Sequence, residues 1–205
     1  LTIVLDDILN YLPFETLTAT GKDTDYLVFK TSIGYANSLT VQQHYKSQTI
    51  DDEQEELLAF APSFETSETL KTPDDFRSQL TPLTFNEKEV QSISKIFNTN
   101  AFYNENATLE QFKSKSGTYK MYHFASHASP NDSIPEYSYL AFSPQERSDF
   151  LLYTNDLYTQ DLSNSMVVLS ACETGIGRLQ KGEGMLSLSQ GFNYAGANAL
   201  VYSKW

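Results

Sequence analysis

Two apolar runs in this chain, Met121-Tyr122-His123-Phe124-Ala125 and Val167-Val168-Leu169, each pass straight into a loop of small residues. Short apolar runs bounded in this way read as buried strands. The first continues through Ser126 to His127, and the second through Ser170 and Ala171 to Cys172, the only cysteine in the sequence. In an open parallel sheet, chemistry gathers beyond the carboxyl ends of the strands. The 45 residues from His127 to Cys172 are enough for a crossover that sets the two strands side by side. An imidazole and a thiol meeting at two such ends are what a cysteine hydrolase needs.

The rest of the chain alternates strand and helix. Leu1 to Leu5 reads as a strand, Tyr26 to Lys30 and Ile33 to Tyr35 as extended segments, and Ser38 as the cap of a helix reaching about Tyr45. Leu57 to Ala61 is a strand stopped by Pro62. The polar stretch from Ser63 to Phe85, holding Pro73 and Pro82, has no period and reads as a surface insertion. Asn86 opens a helix with Glu89 in a capping-box position and a stripe of Val90, Ile93 and Phe97. A second helix is expected from about Thr108 to Lys115, leading into the strand that ends near Phe124. Tyr139 to Phe142 and Leu151 to Tyr153 read as strands, and Thr154 to Tyr158 as a helical turn. Glu183 to Tyr194 reads as a helix and Ala199 to Tyr202 as the closing strand. This order predicts an α/β fold with a mostly parallel central sheet covered by helices on both faces. Nothing divides the 205 residues into two domains.

Composition narrows the function. With 40% hydrophobic residues in 205, the chain can bury an ordinary core. A formal charge of −12 repels phosphate backbones, which argues against direct nucleic-acid binding. No apolar stretch approaches the roughly 20 residues of a membrane span. One cysteine excludes an internal disulfide and a multi-thiolate zinc site, and fits a cytoplasmic location. Gly175, Gly177, Gly182 and Gly184 invite comparison with a phosphate-binding loop. No Gly-Lys-Ser or Gly-Lys-Thr follows, and Glu183 would repel a phosphate, so no cofactor is expected.

The candidate site residues each have a plain alternative. A lone cysteine is commonly a small buried hydrophobe; here it lies just past a strand end, before glycines that keep a loop open. A free thiol with a pKa of about 8.5 needs a local proton acceptor at neutral pH. His127 can be that acceptor, or a strand-end cap held by hydrogen bonds; the residues alone leave the two readings level. His123 lies four residues earlier on the same strand face, but two histidines and one cysteine fall short of a zinc shell. His44, in the early helix, reads as a surface residue.

These blocks, together with Gly182-Glu183-Gly184-Met185-Leu186-Ser187-Leu188-Ser189-Gln190-Gly191-Phe192-Asn193-Tyr194-Ala195-Gly196-Ala197 and Val201-Tyr202-Ser203-Lys204-Trp205, resemble the CHAT family. Its members are caspase-like cysteine peptidases, in the group that holds separase and gingipain. Leu1-Thr2-Ile3-Val4-Leu5 and Tyr11-Leu12-Pro13-Phe14-Glu15 resemble the family's opening strand and its Pro-Phe-Glu turn. The resemblance implies one caspase-like three-layer sandwich over 1–205, truncated at both ends.

It also implies a His127–Cys172 dyad, with His123 a buried strand position. The oxyanion would be held by the backbone N–H groups of Cys172 and Ala128. The family usually has glycine where Ala128 stands, and an added Cβ would strain any positive φ there. Glu173 is a candidate for the specificity pocket, whereas Glu183 reads better as a first-turn helix carboxylate. Arg178 and Lys181 are too few to grip an aspartate, so aspartate specificity is not expected. The expected activity is an intracellular cysteine endopeptidase acting on a protein or peptide, regulated by a partner or an attached helical-repeat region. The alternative is a catalytically silent CHAT domain serving as an interaction or scaffold module.

Overall fold

The structure, a computed structural model, describes residues 1–6, 9, 12–36, 38–40, 42–43, 54–64, 80–129, 131, 134–145, 149–171, 178–180, 184–186 and 188–202. They fall into two compact units, one formed by 1–49 with 179–186 and the other by 50–178 with 187–205.

In the smaller unit, β1 (Thr2–Val4) pairs in parallel with β2 (Gly34–Ala36). The Pro-Phe-Glu segment forms a single 3-10 turn over Phe14–Thr16. It is tied to β2 by Tyr35, whose hydroxyl donates to Glu15 at 2.8 Å and accepts from the Phe14 N–H at 3.2 Å. The extended segment expected at Tyr26 to Lys30 is instead a 3-10 turn over Leu27–Phe29, with Val28 and Phe29 exposed. Among the described residues the sheet pairing here is one isolated antiparallel bridge of Thr18 with Tyr26, which gives their β propensity little to act through. Residues 39–40 and 42–43 are helical after Ser38, while Tyr45 and His44 lie outside the described residues. Later in the chain, β10 (Arg178–Gln180) and β11 (Gly184–Leu186) form a second two-stranded sheet. The helix expected from Glu183 therefore begins later, because the stretch containing the poor helix former Gly184 pairs as strand.

The larger unit is built on five parallel strands: β3 (Glu55–Pro62), β4 (Thr99–Asn104), β5 (Tyr119–Ala125), β9 (Met166–Ser170) and β12 (Ala199–Tyr202). Their order across the sheet is β12-β9-β5-β3-β4. From β3 the chain steps outward to β4, then crosses back over β3 to β5 and continues through β9 to β12. Parallel crossovers are right-handed, so a reversal of direction moves the connecting helix to the opposite face. Helix α1 (Asn86–Ile93), joining β3 to β4, accordingly lies on one face. Helices α2 (Leu109–Ser114), α3 (Thr154–Leu157) and α4 (Leu188–Tyr194) follow the reversal and pack on the other. The result is the expected α/β layering of helices, parallel sheet and helices.

The two faces differ in what they bury. Leu58, Phe60, Tyr122, Phe124, Val167 and Leu169 meet Phe112 of α2, Leu157 of α3 and Phe192 of α4 in one aromatic core. Phe60 is its centre, stacked on Phe102 at 5.4 Å and Phe124 at 5.6 Å, with Phe112 and Phe142 edge-on. The opposite face carries Ala59, Ala61, Ala101 and Ala125, small enough for Val90 of α1 to sit fully buried against them. Of the expected α1 stripe only Val90 is fully buried; Ile93 is partly covered and Phe97 is 36% exposed.

A three-stranded antiparallel sheet follows β5, made of β6 (Ala128–Ser129), β7 (Tyr139–Ala141) and β8 (Leu151–Tyr153). Its Leu140 and Leu152 face the aromatic core. Pro62 does not stop β3 but is its last residue: it is paired with Asn104 on the β4 side only, where a missing N–H can be tolerated. Phe64 is 2% exposed, so the segment read as a surface insertion starts in the core; residues 65–79 lie outside the described residues.

Phe60→Ala is expected to cost about 3–5 kcal/mol of unfolding free energy. Ile96→Ala, in a residue 77% exposed, should stay within about 0.5 kcal/mol. Urea unfolding followed by circular dichroism reads both.

Candidate active site

Strands β5 and β9 are direct neighbours, in register from Met121 opposite Met166 to Ala125 opposite Ser170. One more bond continues the pairing, from the Ser126 N–H to the Ser170 carbonyl at 3.3 Å. His127 and Cys172 therefore each follow a paired strand end by two residues. Cys172 and Glu173 lie outside the described residues, as do Lys181 and Glu183, and Arg178 is described by its backbone alone. Ala171, the residue before the thiol, is buried against the aromatic core.

His127 is held from several sides. The Ser126 hydroxyl donates to the Ala141 carbonyl, and the Ala141 N–H donates to the His127 carbonyl at 2.8 Å. These bonds stitch the turn after β5 to β7. The imidazole packs on Phe64, with ring centroids 4.8 Å apart. Its Nε2 lies 2.7 Å from the Thr81 carbonyl. A carbonyl can only accept, so Nε2 carries a proton, and in the neutral ring the lone pair falls on Nδ1. That is the protonation pattern of a base anchored at one nitrogen and open to protons at the other.

Ala128 stands opposite Leu140 in the β6–β7 ladder. The bond from Ala141 to His127 makes that neighbouring pair the hydrogen-bonded one. Alternation along an antiparallel ladder then places Ala128 in a non-hydrogen-bonded pair, with its N–H directed away from β7. Its backbone is extended: the described non-glycine residues with positive φ are Asn104 and Asn164. The strain anticipated from replacing glycine at this position does not arise.

His123 sits on the α1 face of β5, 6% exposed, and its Nε2 donates to Glu89 Oε1 at 2.8 Å. The expected capping box is absent here. Asn86 is the first helical residue, donating through Nδ2 to the Pro62 carbonyl at 2.8 Å and accepting the Glu87 N–H on Oδ1 at 2.9 Å. Glu89 instead turns to the sheet, where it pairs with His123. Burial pushes the Glu89 carboxyl up, but the hydrogen bonds from His123 and Ser170 and the attraction of the imidazole outweigh it and hold the group below its ordinary value. Among the described residues, no cluster of three or more His, Cys, Asp or Glu could hold a metal ion.

The sequence therefore points to His127 and Ala128 but misses the groups around them. Thr81 acts through its carbonyl, which has no residue-type signature, and Phe64 reads as part of a polar insertion. Glu89 is visible in the sequence, though as a helix cap.

The family model of the CHAT domain matches residues 1–205, the whole chain. Among curated proteins, none matches it. Among the described residues, no helix is long and apolar enough to cross a membrane.

Long-range ¹⁵N correlation spectra at neutral pH should show the proton of neutral His127 on Nε2 and an unprotonated Nδ1. A neutral ring with its proton on Nδ1 and none on Nε2 would contradict the Thr81 contact.

Proposed function

The chain belongs to the CHAT domain family, a peptidase-related and caspase-like group, and on that premise we propose that it is a cysteine endopeptidase with a His127–Cys172 dyad. The observation that carries the reading is the His127 ring, anchored through Nε2 to the Thr81 carbonyl. The anchor leaves Nδ1 as the basic nitrogen, two residues past a strand that pairs with the one leading to Cys172.

In this reading Nδ1 of His127 takes the Cys172 thiol proton, and the thiolate attacks the scissile carbonyl carbon. The N–H groups of Ala128 and Cys172 stabilise the oxyanion that forms. As the tetrahedral intermediate collapses, the C–N bond breaks and the imidazolium gives its proton to the leaving amine. Water then attacks the thioester with His127 again as base, releasing the acid and restoring the thiol. No cofactor enters any of these steps. Glu173, immediately after the nucleophile, is the residue proposed to face the substrate side chain at the cleavage point.

The substrate is a protein or peptide, and activity is under the control of a regulatory protein or an attached helical-repeat region. A cytoplasmic site of action suits a chain whose only cysteine works as a thiol. A catalytically silent CHAT module would need a defect in this machinery. The extended backbone at Ala128 keeps its N–H, so the alanine gives that alternative no support.

Labelling with a thiol-directed peptidyl probe tests the proposal, because the single cysteine makes the reaction site unambiguous. At pH 7 the native chain should react about a hundredfold faster than His127→Ala, and Cys172→Ala should not react. Equal rates for the native chain and His127→Ala would contradict the dyad.

A further inference from the structure

We propose that Tyr137, Tyr139 and Tyr153 form an aromatic subsite that takes a cationic side chain of the substrate peptide, two residues from the cleaved bond. The inference rests on the peptidase reading for its occupant, while the cluster itself is a matter of geometry.

The small β6–β8 sheet has two unlike faces. Leu140 and Leu152 are fully buried in the aromatic core, and Ala128 packs against it. Side chains alternate along a strand, so Ser129, Tyr139 and Tyr153 project from the opposite face. Ser129 stands opposite Tyr139, and Tyr139 opposite Tyr153. The same alternation carries this face to His127, whose carbonyl accepts the Ala141 N–H at 2.8 Å. The tyrosines therefore begin one two-residue step beyond the His127–Ala141 pair, about 7 Å along the ladder. An extended substrate advances by the same step over two residues, which sets the position of the side chain that the cluster would take.

Tyr153 is the middle ring. Tyr137 meets it at 6.0 Å and Tyr139 at 6.3 Å between centroids, both edge-on. An edge-on contact covers one face of one ring, and ring surface stays open here: Tyr137 is 56% exposed, and Tyr139 and Tyr153 are partly exposed. Aromatic faces carry partial negative charge and attract cations. The cluster is also fixed before anything binds. Ser138, between the first two tyrosines, accepts on its carbonyl the Thr154 N–H at 2.9 Å and the Thr154 hydroxyl at 3.2 Å. Little ordering is then left for a ligand to impose.

Charge favours the same occupant. Glu136 is exposed beside Tyr137, and Asp156 accepts the Tyr153 N–H at 3.2 Å. From Met121 to Ala171 the sequence holds one lysine or arginine, Arg147, against six aspartates and glutamates. Such a surface attracts a cation and repels an acidic side chain.

The test labels Cys172 in the full chain with thiol-directed peptidyl probes. They carry arginine or citrulline, which match in shape but not in charge, at the first or the second residue on either side of the reactive group. At pH 7 arginine should outpace citrulline about fivefold at one of the second positions, as expected for a cation over aromatic rings. The ratio should fall about twofold in Tyr137→Leu and to near one when Tyr153→Leu is added, and should persist in Tyr137→Phe and Tyr153→Phe, which keep the rings. Thermal unfolding checks that each variant is folded, and Tyr137, the most exposed of the three, gives a variant that leaves the core untouched. Equal rates for arginine and citrulline at both second positions, or a preference that the leucine variants retain, would overturn the proposal. The ratio can be read on any thiol the probes reach. If the preference appears and is lost as expected while labelling is insensitive to His127→Ala, the subsite stands and the dyad reading is what fails.

Discussion

Parallel strands can be joined only by crossovers, and those crossovers turn right-handed. In this chain the rule converts a change of direction at β4 into a three-layered unit. The step from β3 out to β4 leaves α1 alone on one face. The return to β5, β9 and β12 places α2, α3 and α4 on the other. The aromatic side chains gather where three helices must be filled against, with Phe60 at the centre. The alanines collect where one helix approaches closely. The same reversal makes β3 and β5 the strands from which the chain departs in opposite directions, the place where open α/β sheets assemble their sites.

The candidate site follows from that arrangement. Phe64, just past the end of β3, packs on His127, just past the end of β5. Beyond β9, Ala171 leads to the thiol. The small β6–β8 sheet holds the His127 backbone through Ala141 and Ser126, so the imidazole is presented by a turn bonded on several sides. An acidic chain is a poor setting for a thiolate, and the adjacent base in the proposed mechanism meets that difficulty locally. The Thr81 carbonyl contributes by occupying the nitrogen that the chemistry does not need.

What was legible in the sequence was the part encoded by side-chain type. The apolar runs at 121–125 and 167–169 marked adjacent central strands. Thr108 marked the start of α2, where its side chain accepts the Gln111 N–H. Less legible was whatever depended on backbone groups or on partners distant in sequence. Leu27 to Phe29 has strand-forming residues, but among the described residues the pairing beside it is the single Thr18–Tyr26 bridge. Gly184 to Leu186 reads as helix until it finds 178–180 to pair with. Glu89 fits a local cap, yet a buried imidazole 34 residues away outcompetes the exposed helix start for it. Thr81 acts on His127 from 46 residues upstream through an atom every residue possesses.

The central claim is that Cys172 is activated by His127, and the single cysteine allows it to be measured without a substrate. Thiolate absorbance near 240 nm, followed across pH as the difference from the matching Cys172→Ala protein so that the signal of the 13 tyrosines cancels, reports the ionisation of Cys172. The account predicts an apparent pKa below the ordinary value of about 8.5 in the native chain, returning toward that value in His127→Ala. Identical titrations of the two proteins would show that the imidazole does not act on the thiol and would contradict the claim.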